Sequence, residues 1–429
     1  PLLHDYGQFG EAQFYGSFTE SLTDAFKYGS YTLGHRAGHP NLYVLTPDAI
    51  SPDNCLYSIW LRSTAYKQIR ETNQFLSLQR KYSEFSADRN KLWEAQVRFF
   101  RAFVYFQLAK RHGGVILYDD LPVSTNKARS SAEETWQFIA DDLDFAANNL
   151  PKEWDAANKG RITKGAAYAL KSRAMLYAKR WQDAYDAANN VIALKLYGLT
   201  DKYEDAWKGN NKEAILEFDY DAANGPNHLF DRYYVPQCDG YDNGSTGTPT
   251  QEMVECYESK NGEKIDRSNS SQLAKGALPL KYGMDPDMKD GQSGIDVVIY
   301  RYADVLLTLA ECINRNEGSP TTEAIGLVNR VRKRAGLSEL DDAQTASGEA
   351  FNEAILLERG HEFYLEGLRR QDLIRFGKYV EYANNRIDAI NKSEGRGYFN
   401  VHEGHNRFWI PQSFIDESKG AIKQNDYDR

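Results

Sequence analysis

Glu358 and Glu362 stand four residues apart, a spacing that puts both on one face of a helix. Paired carboxylates so placed are the equipment of glycoside hydrolysis, one protonating the leaving oxygen while the other attacks or activates water. Their neighbours argue for another use. Arg359, Glu366, Arg369, Arg370 and Asp372 follow in the same stretch. The pairs Arg359–Glu362 and Arg369–Asp372 have the i, i+3 spacing at which opposite charges meet on a helix surface. Interleaved guanidinium groups also hold carboxylates ionised, which defeats a general acid. An ion-pair network is therefore expected here, not a catalytic dyad. His35 and His39 are four apart but flank Gly38 in a loop, and His402–Glu403–Gly404–His405 falls one residue short of the zinc pattern H-E-x-x-H. The run Gly291–Gly294 lacks the spacing of a nucleophile elbow. No phosphate loop or dinucleotide fingerprint is present. No catalytic residue, metal or cofactor is expected.

What remains is binding. A saccharide presents polar edges and apolar C–H faces, so its site needs flat aromatic rings beside a few fixed amide, carboxylate or guanidinium groups. The chain has 28 Tyr, 20 Phe and 7 Trp, 13% of its residues. Two non-helical stretches supply the mixture. One holds Tyr31, His35, Arg36, His39, Asn41 and Tyr43; the other holds Arg232, Tyr233, Tyr234, Gln237, Tyr241, Asp242 and Asn243. The first lies in a Gly-, Pro- and Tyr-rich run from Gly29 to Pro52, and a loop that long in a compact protein is usually functional or disordered.

Helices must carry these loops. From Ile299 onward, Ala303, Leu306, Leu307 and Ala310 mark one apolar stripe, and Val305, Leu309 and Cys312 a second. Ser319 with Pro320 predicts the start of the next helix, in which Ala324, Leu327, Val328 and Val331 repeat the spacing. Arg332, Lys333 and Arg334 suit its last turn, and Gly336 its stop. A third helix is predicted from about Phe351 through Phe363 and Gly367 to Phe376. Upstream, the spacing predicts helices over Cys55–Phe75, Asp88–Arg111, from Ser131 to before Pro151, Thr163–Ala178 and Trp181–Leu194. Glu134 completes a capping box with Ser131. Glu11 to Tyr28 reads as weakly helical. Ala184, Ala188 and Val191 keep the offset of Ala324, Val328 and Val331, a tetratricopeptide-like signature in which small residues let paired helices approach. Between about Lys195 and Asp296 the helical texture is lost, apart from a short helix at Gln251–Glu258, and a last helix reaches about Ile390. The expectation is an all-α helical-repeat scaffold with long irregular loop insertions. It is read as one domain over 1–429, with core at about 53–195 and 296–390, an insertion at about 196–295 and a packed tail at 395–429.

Composition narrows the function. The net charge is −9 and the pI about 5.5, which argues against nucleic-acid partners. No run of 18 apolar residues spans a membrane. Any signal peptide or lipid-anchoring cysteine is expected upstream of Pro1. Cys55, Cys238, Cys256 and Cys312 form no C-x-x-C pair. Cys238 and Cys256, in the irregular region, can bridge, although spacing fixes none of the three pairings.

The segments IYRYADVLLTLAECINR, AIGLVNRVRKRAGL and LLERGHEFYLEGLRRQDLIRFGKY resemble the C-terminal core of the SusD/RagB family. The resemblance extends to KLWEAQVRFFRAFVYFQLAKRHGGVILY, LKSRAMLYAKRWQDAYDAANNVI and FWIPQSFIDES, and to Trp60 and Asn73, in the family's order. It implies a non-enzymatic lipoprotein on the extracellular face of the outer membrane. Such a protein captures oligosaccharide and delivers it to a SusC-type TonB-dependent transporter. It further implies a glycan site built from loops of the two aromatic regions, on a face away from the repeats. The RagB branch offers peptide binding as an alternative, and a glycoside hydrolase is the other rival.

Overall fold

The computed structural model describes residues 22–28, 52–53, 60, 64–121, 127–221, 223–225, 247–258, 281, 294–395 and 397–426. In chain order the strands and α-helices are β1 (Phe26–Tyr28), α1 (Thr64–Tyr82), α2 (Ala87–His112), α3 (Ala132–Asn149), α4 (Lys164–Tyr177), α5 (Trp181–Ala193), β2 (Ala214–Phe218), β3 (Gly247–Pro249), α6 (Gln251–Cys256), β4 (Val297–Arg301), α7 (Tyr302–Glu317), α8 (Thr322–Arg334), α9 (Gly348–Glu362), α10 (Arg369–Arg375), α11 (Tyr379–Glu394) and α12 (Gln412–Glu417). The fold is mainly helical. It groups into two compact units, one from Ile50–Tyr197 with Gly404–Arg429, the other from Leu3–Ala49 with Gly198–Glu403. The division at Tyr197–Gly198 falls where helical texture gives way in the sequence.

In the first unit each helix packs on the next, α1 on α2 and so on through α5. Local chemistry sets the ends. Ser86 caps α2 by accepting from the Arg89 N–H, and Gly113, at φ 75°, stops it. Ser131 and Glu134 form the expected box, with N–H bonds of 2.7 and 3.1 Å. Ala184, Ala188 and Val191 are fully buried, as the close approach of α4 and α5 requires. Asn73 joins α1 to its neighbours. Its amide donates to Tyr118 O at 2.9 Å, and its Oδ1 accepts from Arg101, which also holds Asp142 through two bonds of 2.7 and 2.8 Å. The C-terminal residues close on this unit, with Phe408 N donating to Arg111 O and Arg129 donating to Lys423 O.

In the second unit α7 packs on α8 and α9, and α9, α10 and α11 follow in sequence. Ala324, Val328 and Val331 are fully buried, at the offset seen in α5. Strands β2 and β4 pair antiparallel, as do β1 and β3.

Several expectations need correction. The end of the first predicted helix is strand: Phe26–Tyr28 pairs with Gly247–Pro249. A strand partner so distant in sequence leaves no periodic trace. Ile299 to Arg301 belong to β4, and α7 begins only at Tyr302. Thr321, not Ser319, caps α8, accepting from Ala324 N at 3.1 Å. Helix α1 continues past Phe75 to Tyr82. The long third helix is broken between Glu362 and Arg369, where Leu365 and Gly367 take φ of 63° and 73°. Cys256 and Cys312 are free thiols, and Cys256 donates to Met253 O. Cys55 and Cys238 lie outside the described residues.

Candidate functional site

The break after Glu362 lets charges that look like helix neighbours separate and find distant partners. Arg301, at the junction of β4 and α7, is the centre. One guanidinium nitrogen donates to Glu213 at 2.8 Å and to Glu362, and its other nitrogens hold Glu366 at 2.7 and 3.0 Å. Arg334 donates to the far oxygen of Glu213 at 2.9 Å and also to Glu362. Lys281 donates to Glu366 and to the Glu362 carbonyl. Three carboxylates thus face three cations, every side chain no more than 7% exposed. Against the desolvation of burial, Arg301 and Lys281 hold Glu366 below the ordinary carboxylate range, and Arg301 and Arg334 do the same for Glu213.

Four further sets surround this one. Glu358 accepts from Arg332 at 3.0 Å. Arg359 lies 2.9 Å from Asp304 and 2.8 Å from Asp372. Arg375 meets Glu311 and Asp372. Arg369 clamps Asp24 with bonds of 3.0 and 2.7 Å. The expected network exists, but Arg359–Glu362 and Arg369–Asp372 are not its pairs. Buried side chains pair with whatever charge the tertiary fold presents, so in this network the i, i+3 spacing survives only at Asp372–Arg375 while Arg359 and Arg369 take partners distant in the chain. The reasoning from interleaved arginines also fails at Glu358: burial, opposed by Arg332 and aided by Glu362, raises it to about 7. That value suits a general acid. The site does not, because Glu358 and Glu362 have side chains only 3% and 2% exposed and each is bound to arginine.

Asp24 connects this network to the loops. Residues Leu22 to Ala25 are buried just before β1. The Thr250 hydroxyl donates to Asp24 O and the Thr250 N–H to Ala25 O at 3.1 Å, so the capping residue of α6 also anchors the strand pair. In the β1–β3 ladder Tyr28 lies opposite Gly247. Residues 29–51 therefore leave, and residues 226–246 return, at the same end of one ladder.

Every binding residue named from the sequence follows Tyr28 or precedes Gly247 in those two segments. Tyr31, His35, Arg36, Asn41 and Tyr43, with Arg232, Tyr233, Tyr234, Gln237, Tyr241, Asp242 and Asn243, all lie outside the described residues. Sequence reasoning missed Asp24, Glu213, Lys281 and Arg301 as anchors, since nothing in their spacing announces partners so far away. It also missed Glu217, Asp219 and Asp296, whose carboxylates lie within 4.8 Å of one another. Backbone N–H groups of Asn210 and Tyr220 already donate to two of them.

Comparison with known proteins completes the picture. A family model described as "SusD family" matches residues 268–427, and one described as "Starch-binding associating with outer membrane" matches residues 25–176. The chain belongs to the SusD/RagB family. A SusD-like protein of Bacteroides ovatus is 27% identical over 385 residues, 72% of this chain. The match spans 65% of the length of that curated relative. The starch-binding protein SusD of Bacteroides thetaiotaomicron is 32% identical over 149 residues, 35% of this chain and 23% of that protein. Among solved structures, surface glycan-binding protein A from B. thetaiotaomicron, in complex with laminarihexaose, has a TM-score of 0.77 at 23% identity, covering 97% of this chain and 95% of its own. A SusD superfamily protein from Bacteroides vulgatus has a TM-score of 0.77 at 22% identity, covering 99% and 98%. At these identities the structures establish a shared SusD fold.

Two predictions follow from the buried charges. Arg301→Met would leave Glu213, Glu362 and Glu366 short of their main cation, a loss of about 3–5 kcal/mol by analogy with other broken buried pairs. Urea unfolding measures it, and a loss under about 1 kcal/mol would contradict the hub. Glu358 binds its proton more tightly folded than unfolded, so its contribution is full below its ordinary value of 4.5 and is lost as pH rises through about 7. The melting temperature of Glu358→Gln should therefore gain on the parent between those values. A difference flat across that window would show that Glu358 keeps an ordinary pKa.

Proposed function

We propose that this SusD/RagB protein captures oligosaccharide at the outer-membrane surface. In this reading it holds the glycan in the loops 29–51 and 226–246 and hands it to a SusC-type TonB-dependent transporter. An upstream lipid keeps it on the extracellular face. The observation that carries the site is the β1–β3 register. It brings the roots of both aromatic-rich segments to one end of one ladder, and the Asp24–Arg369 pair fixes that ladder to the helical body. Tyr31, Tyr43, Tyr234 and Tyr241 are the stacking platforms, with Arg36, Asn41, Arg232, Gln237, Asp242 and Asn243 as polar partners and His35 and Tyr233 beside them. The named relatives support the ligand class: one is called starch-binding, and a structural neighbour holds laminarihexaose. Binding without turnover is the accompanying reading, because the carboxylates at hydrolase spacing are committed to arginines.

The test is calorimetric titration of a neutral oligosaccharide panel with a peptide panel alongside, followed by Tyr→Ala variants at the four platforms. An aromatic contact adds about 0.5–1.5 kcal/mol beyond area burial, so removing two platforms should weaken binding roughly tenfold or more. Melting temperature should stay unchanged, and no reducing ends should be released. Wild-type affinity in all four variants would move the site elsewhere, and binding confined to peptides would overturn the ligand class.

A further inference from the structure

The repeat unit formed around α1–α5 contains a cleft of about 860 Å³. Its walls come from three places. Tyr66, Arg70 and Gln74 recur every fourth residue along one row of α1. Tyr118 stands in the extended segment after α2. Phe414 and Glu417 come from α12. Trp60 lies at its base, 1% exposed, and ties the rings into a row: its centroid is 5.1 Å from Tyr66 and 6.2 Å from Phe414, while Tyr66 is 6.0 Å from Tyr118. Adjacent planes are tilted by 58–83°. The row is held in place, with the Tyr66 hydroxyl accepting from Ile116 N at 3.1 Å and the Tyr118 N–H donating to the Tyr105 hydroxyl at 2.7 Å.

Arg70, Gln74 and Glu417 are exposed, and among the described residues their side chains meet no hydrogen-bond or ion-pair partner. A guanidinium, an amide and a carboxylate, all planar and all unengaged, thus share one cleft with three half-buried aromatic rings. We infer that this cleft is a second saccharide subsite, taking two or three pyranose units of a neutral glycan. Pyranose C–H faces suit the rings, and equatorial hydroxyls, each both donor and acceptor, suit the mixed set of Arg70, Gln74 and Glu417. The volume lies within the range of small-ligand sites. A peptide that binds by adding a strand finds no edge here, because the described residues of this unit include no strand. The inference rests on the saccharide reading and adds a site to it.

The test soaks crystals of the full chain in laminarihexaose, maltohexaose and xylohexaose, and repeats the binding in solution by calorimetry. Saccharide density against Tyr118 and Phe414, with a stoichiometry above one, is the expected result. Gln74→Ala and Glu417→Gln, both surface changes that leave the fold intact, should each weaken that site about tenfold while leaving loop binding unchanged. Density in the loops alone would overturn the second subsite and keep the first reading. Density in neither place, with no heat of binding, would overturn both. Density in the cleft that no calorimetric signal accompanies, binding at crystal concentration only, would also overturn it.

Discussion

Much of the second unit depends on one buried guanidinium. Arg301 is the last residue of β4 and the residue before α7, and it reaches Glu213, Glu362 and Glu366 from there. Those three residues lie just ahead of β2, at the end of α9 and in the turn before α10. Buried ion pairs are weak sources of net stability, because desolvation offsets most of the attraction. Their effect is on uniqueness. A shifted register or an unbroken α9–α10 helix would leave a charge in the interior without its partner. The turn at Leu365 illustrates the point: a buried leucine at φ 63° is unfavourable by itself, and it persists where Glu366 beside it is held by two cations.

That rigidity reaches the proposed binding face through Asp24. The Asp24–Arg369 pair joins the start of β1 to α10, and Thr250 joins the same point to β3 and α6. Two long segments are thus rooted side by side on a ladder that is itself pinned to helices. Loops positioned by a rigid scaffold are where binding residues concentrate, because they vary in sequence without disturbing the body. The helical pairs then have a simple task. Small residues at Ala184, Ala188, Ala324 and Val328 bring paired helices close, and each pair buries its apolar stripe against the next.

How much of this was legible in the sequence follows the range of the forces involved. The Ser131–Glu134 box and the alanine offsets are set within a turn or two of chain, and they read correctly. Strand β1 did not, because its partner is 226 positions away at the Asp24–Thr250 contact. The charged run from Glu358 to Asp372 was correctly read as an ion-pair network but with the wrong partners, since pairing was decided by burial and by a turn that local spacing does not foretell. Glu358 shows the same limit in its chemistry: arginine neighbours in the sequence suggested a low pKa, and desolvation raised it instead. The cleft at Tyr66, Tyr118 and Phe414 draws on three distant segments and left no local pattern. The family resemblance, by contrast, was carried by ordered motifs and survived every local error.

The central claim is that ligand binding belongs to the two segments rooted at Tyr28 and Gly247. Hydrogen–deuterium exchange with and without a saturating oligosaccharide reads it directly. The account predicts new protection concentrated in peptides covering 29–51 and 226–246, with the Glu358–Asp372 stretch unchanged. Protection absent from both segments while the glycan is bound would contradict it.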